Sequence, residues 1–151
     1  IIGRTDYIII DLTEGFEKHT LIASVARLLV NKEMFGRALS FYKRLFEETD
    51  VVNIVFKIKQ SEYFLEYVLC SLAIGDVVQA ERLLINSTEI LMKRESEFIV
   101  NIIKTVGDSN IELFSNIVNE RDRLTKLSPD LVRLLLEIKR GLENRGNDDL
   151  L

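Results

Sequence analysis

The chain has 151 residues, 47% of them hydrophobic and 29% charged, with a formal net charge of -4. That length suffices for one domain that buries roughly two-thirds of its unfolded surface without a disulfide or metal staple. The composition excludes a disordered chain, no apolar run approaches the roughly 20 residues a bilayer requires, and an acidic balance argues against tracking nucleic-acid phosphates.

In chain order, Ile1 stands where an initiator methionine would and nothing signal-like follows, so the chain is expected to be part of a longer protein. Tyr7-Ile8-Ile9-Ile10, and later Val51 to Phe56, are β-branched enough to pass for strands. Helix is the reading adopted, because one proline and seven glycines leave few breaks; paired strands there would make an α/β domain the rival. Leu21, Val25, Leu28 and Leu29 make a first apolar helical face, and Leu39, Tyr42, Leu45 and Phe46 a second, with Gly36 at the turn between them.

A second pair runs from about Glu62 to Ile74 and from about Val77 to Ile85, with Phe64, Val68, Leu69 and Leu72 on the buried face. Gly75 and Asp76 punctuate it: glycine takes the left-handed conformation that ends one helix, and aspartate caps the free amides of the next. Gly107 and Asp108 repeat the arrangement 32 residues later, between a helix carrying Phe98, Ile102 and Ile103 and one carrying Leu113, Phe114, Ile117 and Val118. The last helix is the clearest, with Ser128 as N-cap, Pro129 at the first helical position, and Leu131, Leu134, Leu135, Ile138 and Leu142 on one stripe.

Amphipathic hairpins cannot bury both apolar faces alone, whereas stacked hairpins share a core. The fold class expected is therefore all-α: stacked antiparallel helical hairpins in a tetratricopeptide-like right-handed solenoid, with a C-terminal helix and a short flexible tail. Ala38 and Ala80, at hairpin contacts, are 42 positions apart, longer than a 34-residue tetratricopeptide repeat. Residues 1–143 form the repeat domain and 144–151 the acidic tail.

No catalytic residue, metal ligand or cofactor is expected. His19 is the sole histidine, reads as a solvated helix-end residue, and has no cysteine or acidic cluster at ligand spacing. Gly3 and Gly15 form no phosphate-cradling loop. Cys70 lies in an apolar run and reads as core. Lys57, Lys59, Lys93 and Arg94 are read as solvated charge, and Asp76 and Asp108 as caps. Asp148-Asp149-Leu150-Leu151 pairs charge with apolar anchors, a combination suited to a basic surface with a hydrophobic pocket as well as to a plain loose tail.

Four stretches, in order, resemble the C-terminal half of the SNAP family, the soluble attachment proteins that couple the AAA ATPase NSF to SNARE complexes. They are Tyr63-Phe64-Leu65 with Leu69-Cys70, the turn before Ala80, Asn119 to Leu127, and Leu134 to Arg140. The ending Asp148-Asp149-Leu150-Leu151 is similar to the α-type acidic tail, and Leu150 matches its penultimate leucine.

The resemblance implies a cytoplasmic adaptor, peripheral on membranes through SNAREs, whose partners are the SNARE complex and an NSF-type ATPase. By it, Asp76 and Arg94 fall on SNARE-facing positions, and Asp148, Asp149 and Leu150 on the ATPase-facing end. The family's acidic patch in the penultimate hairpin falls near Lys104, Gly107 and Asp108, where only Asp108 keeps the charge. Ser61 replaces a family lysine, and Asp130 stands where a tryptophan often opens the last helix. A scaffold subunit of another complex is the alternative reading.

Overall fold

The computed structural model describes the backbone of residues 15–48, 57–86 and 89–149, and side chains over 18–47, 57–86 and 89–146. Tyr7 to Ile10 and Val51 to Phe56 lie outside the described residues. Among those described are seven helices and no strand: α1 (Gly15–Asn31), α2 (Phe35–Glu48), α3 (Lys57–Ala73), α4 (Val77–Asn86), α5 (Lys93–Gly107), α6 (Ile111–Leu124) and α7 (Pro129–Asp149). Each packs on the next where short turns join them, giving the all-α hairpin stack that the periodicity predicts.

Helix α3 is the centre, packed against α2, α4, α5 and α7. That explains why eleven of the twelve residues from Ser61 to Leu72 are buried, all but Glu62: this stretch of the helix is covered on all sides and needs no polar face. The α2–α3 seam is aromatic, with the Phe46 ring 5.1 Å from Phe64 edge-on and 5.7 Å from Tyr67 stacked. Ser61 is buried and accepts a 2.9 Å hydrogen bond from the Met92 backbone N–H, fixing the stretch that enters α5 to the start of α3. Cys70 is core as expected, its thiol donating to the Phe35 carbonyl at 3.3 Å.

The turns follow one design with two revisions. Gly75 takes φ +86° and the Asp76 carboxylate accepts from the Gln79 N–H at 3.0 Å, as predicted. In the next hairpin the same roles fall on Ser109, at φ +52°, and Asn110, which accepts from the Leu113 N–H at 3.1 Å. Gly107 instead ends α5 and Asp108 is its αR C-cap, so the true spacing from Gly75 to Ser109 is 34 residues. Between α1 and α2 the left-handed residue is Glu33, at φ +59°, and Gly36 lies inside α2.

Three further expectations change. Leu28 is 46% exposed and Leu113 also faces outward, because α1 buries Ile22, Ala26, Leu29 and Val30 and α6 is anchored through Phe114. His19 is buried at 4% exposure, its ring 5.5 Å from that of Tyr63, not solvated. Helix α7 begins at Pro129 with Ser128 Oγ accepting from the Leu131 N–H, as predicted, but runs to Asp149, past the boundary drawn at residue 143.

Helix α7 does more than stack on α6. Through Leu134, Leu135, Ile138 and Leu142 it returns across α3, and its first turn reaches α1. Asn31 donates to Asp130 at 3.1 Å, Arg27 lies 3.7 Å from Asp130, and Arg133 bonds Glu33 at 3.2 Å.

Candidate docking surfaces

A charge knot ties the middle of the stack together. Arg27 of α1 donates from Nε and Nη2 to the two carboxylate oxygens of Glu66 at 2.9 and 2.7 Å, and the Tyr42 hydroxyl of α2 donates to the same carboxylate at 2.8 Å. The Arg27 guanidinium also lies 4.9 Å from the centre of the Tyr63 ring. The hydrogen bond to Glu66 raises the Arg27 pKa, while burial first and Glu66 second push the Tyr42 phenol far above its ordinary value. Both partners therefore stay protonated donors, and Glu66 has its oxygens satisfied where an unpaired charge would be costly. With Asp130 alongside Arg27, four helices converge on one ion pair.

The surfaces hang on the ends of this body. Asp76 and Asp108 are exposed in the α3–α4 and α5–α6 turns, at the same end of the stack. A cleft of about 310 Å³ lies there, lined by Ile74, Gly75 and Val77 of the first turn, Val106 of α5, and Gly141 and Arg145 of α7. The C-terminal half of α7 thus comes to the end that carries the two turn aspartates. The backbone of Asp148 and Asp149 continues α7 in that direction; Leu150 lies outside the described residues.

Arg94 is elsewhere. It opens α5, whose other end is Asp108, so the two are separated by about 20 Å along the helix axis. Its Nη1 donates to Thr125 Oγ1 at 3.0 Å and its Nη2 to Glu95 at 3.4 Å. Arg121, which the sequence reading missed, donates to the Thr125 carbonyl at 2.8 Å and lies over the Phe98 ring at 5.9 Å. Burial, then the neighbouring Arg94 charge, lowers the Arg121 pKa, as expected for two guanidinia brought together. The only hint in sequence was the basic spacing of Arg121 and Arg123 in the last turn of α6.

The residues implied by resemblance therefore divide into an acidic end, with Asp76, Asp108 and the run toward Asp148 and Asp149, and a basic opposite end at Arg94. Nothing in either arrangement pairs a nucleophile with a base, and among the described residues no three metal-ligating side chains cluster. No described helix is long and apolar enough to cross a membrane. A stack of helical hairpins with charged side chains at both ends defines a helical-repeat protein.

The comparisons with known proteins narrow this class. The family model described as soluble NSF attachment protein, SNAP, matches residues 14–143, and the chain belongs to that family. It is 30% identical over 122 residues to the vesicular-fusion protein SEC17 of Coprinopsis cinerea, covering 78% of this chain and 42% of that protein. It is 28% identical over 141 residues to the alpha-soluble NSF attachment protein of Dictyostelium discoideum, covering 87% and 46%. Against a soluble NSF attachment protein homolog of fowlpox virus the figure is 27% over 136 residues, covering 85% and 48%. The chain spans less than half the length of these relatives.

Proposed function

We propose that this chain is the C-terminal part of a non-enzymatic adaptor that links SNARE complexes to an NSF-type AAA ATPase for SNARE disassembly in vesicle fusion. The observation that carries the reading is the family match over nearly the whole described chain, joined to vesicular-fusion and NSF-attachment names among its relatives. The geometry supports it. An adaptor for a force-generating enzyme must bind at separate places and stay stiff between them, and the knot at Glu66 provides that stiffness.

In this reading Asp76 and Arg94, at opposite ends of the stack, lie along the SNARE bundle, and Asp108, Asp148, Asp149 and Leu150, at the end that Asp76 shares, engage the ATPase. Charge steers the encounter and the leucine supplies apolar contact. The protein works in the cytoplasm and reaches membranes through the SNAREs it holds. The deciding experiment removes Leu150 and Leu151 from the full-length protein: ATPase stimulation should be lost with SNARE binding nearly intact. Unchanged stimulation would refute the assignment, and failure to bind the ATPase at all would favour a scaffold of another complex.

A further inference from the structure

Two guanidinia from different helices meet on one residue. Arg94, the second residue of α5, donates from Nη1 to Thr125 Oγ1 at 3.0 Å, and Arg121 of α6 donates from Nη1 to the Thr125 carbonyl at 2.8 Å. Both acceptors are neutral oxygens, so the residue that the two cations share compensates neither. Arg121 Nε is buried and has no hydrogen-bond partner among the described residues. The carboxylates alongside do little to fill the need: Glu95 meets Arg94 Nη2 at a long 3.4 Å, and Asp122 accepts the Leu127 N–H at 3.0 Å.

Thr125 itself is open to chemistry. It is exposed, and its backbone is extended, at φ −149° and ψ 120°. It stands in the link between α6 and α7, outside either helix. Arg121 and Arg123 precede it by four and two positions, and Lys126 follows it. An exposed hydroxyl on an extended segment among basic side chains suits an arginine-directed protein kinase, which selects its targets by local charge pattern. Arg94 does not block the hydroxyl: its side chain is 55% exposed, and a single hydrogen bond at the surface opens at small cost.

We propose that Thr125 is a phosphorylation site whose phosphate is received by Arg94 and Arg121. Thr125 Oγ1 attacks the γ-phosphorus of ATP, the bond from that phosphorus to the β,γ-bridging oxygen breaks, ADP leaves, and the hydroxyl proton passes to the kinase's catalytic aspartate. The phosphate brings roughly 1.5 to 2 negative charges and three acceptor oxygens to a place that held only neutral ones. Hydrogen bonds from the guanidinia to these charged oxygens are roughly twice as strong as bonds between neutral groups. The modification thus pins the start of α5 to the link that enters α7, and it withdraws Arg94 from any other anion. The inference stands apart from the proposed function, since its test reads this chain alone.

The test has two arms. In the first, the 151-residue chain is incubated with ATP and a panel of purified arginine-directed serine/threonine kinases, and the phosphate is mapped by mass spectrometry. Thr125 should be modified, and Thr125→Val should remove most of the incorporation. In the second, the chain is made with phosphothreonine encoded at position 125 and titrated by phosphorus NMR, folded and in urea. The second phosphate pKa of the folded chain should lie about one pH unit below its ordinary value near 6, and in urea it should return to that value. Arg94→Gln, at an exposed side chain, should undo about half of the fall, and Arg121→Gln should undo a further part. Failure of every kinase to modify Thr125, a phosphate that titrates alike in the folded and unfolded chain, or a fall indifferent to both arginine variants overturns the proposal.

Discussion

Glu66 and Arg27 lie 39 residues apart in sequence and meet through two hydrogen bonds of 2.9 and 2.7 Å, with the carboxylate only 2% exposed. Glu66 is the shared acceptor for α1 and α2, so removing it strands two donors at once. Glu66→Ala should destabilise the chain by about 3 kcal/mol, the lower end for breaking a buried pair because Arg27 keeps some access to water. Tyr42→Phe, which deletes one donor and leaves the pair, should cost about 1.5 kcal/mol. Urea unfolding curves measure both; equal costs would contradict the central place given to the carboxylate.

Burial lowers the His19 pKa below its ordinary 6.5. As pH falls past that value the unfolded chain takes up a proton that the folded chain declines, so stability drops with acidification until the folded value is reached. Unfolding free energy should therefore decline as the pH falls below about 6.5. His19→Gln should flatten that slope, and because His19 is the only histidine the effect is assignable. An identical slope in the variant would place the dependence on carboxylates instead.

Burial and, secondarily, the Glu66 charge push the Cys70 thiol up to about 12. The thiolate is the reactive form, so the folded chain should resist a thiol-specific aromatic disulfide at neutral pH and react stoichiometrically once denatured. Release of the coloured leaving group, read before and after adding guanidinium, checks this. Rapid reaction in the native state would mean that α3 opens locally.

The turn residues predict opposite responses to glycine chemistry. Ser109 holds φ +52° with an ordinary side chain, and Ser109→Gly should stabilise by about 0.5 kcal/mol through relief of left-handed strain. Gly75→Ala, at φ +86°, should cost about 1 kcal/mol. Gly141→Ala, in the interior of α7 with nothing within 4 Å of the added methyl, should gain about 1 kcal/mol. Thermal melts of the three variants give the signs directly.

Much of the fold was legible in sequence because it rests on local chemistry. Ser128 and Pro129 mark the start of α7, and Gly75 with Asp76 form the turn they promise. The Gly107-Asp108 reading missed by two positions because asparagine caps as well as aspartate, and a left-handed serine leaves no trace in composition. Leu28 and His19 were misjudged for a tertiary reason: how much of a helix is covered depends on neighbours that periodicity does not name.

The candidate surfaces were less legible. Glu66 sits in an apolar run, and only its distant partners explain why a charge is tolerated there. Arg121 joins Arg94 only through Thr125, a contact across a helix turn and 31 residues of chain.

The return of α7 to α1 changes how the molecule fails. Repeat arrays can peel from an edge, one unit at a time, because each unit touches only its neighbours. Here Asp130 and Arg133 fasten the last helix to the first hairpin, so detaching α7 uncovers the flank of α3 and the rim of α1 together. A tug on α7 is therefore resisted at α1 and α3 as well as at α6.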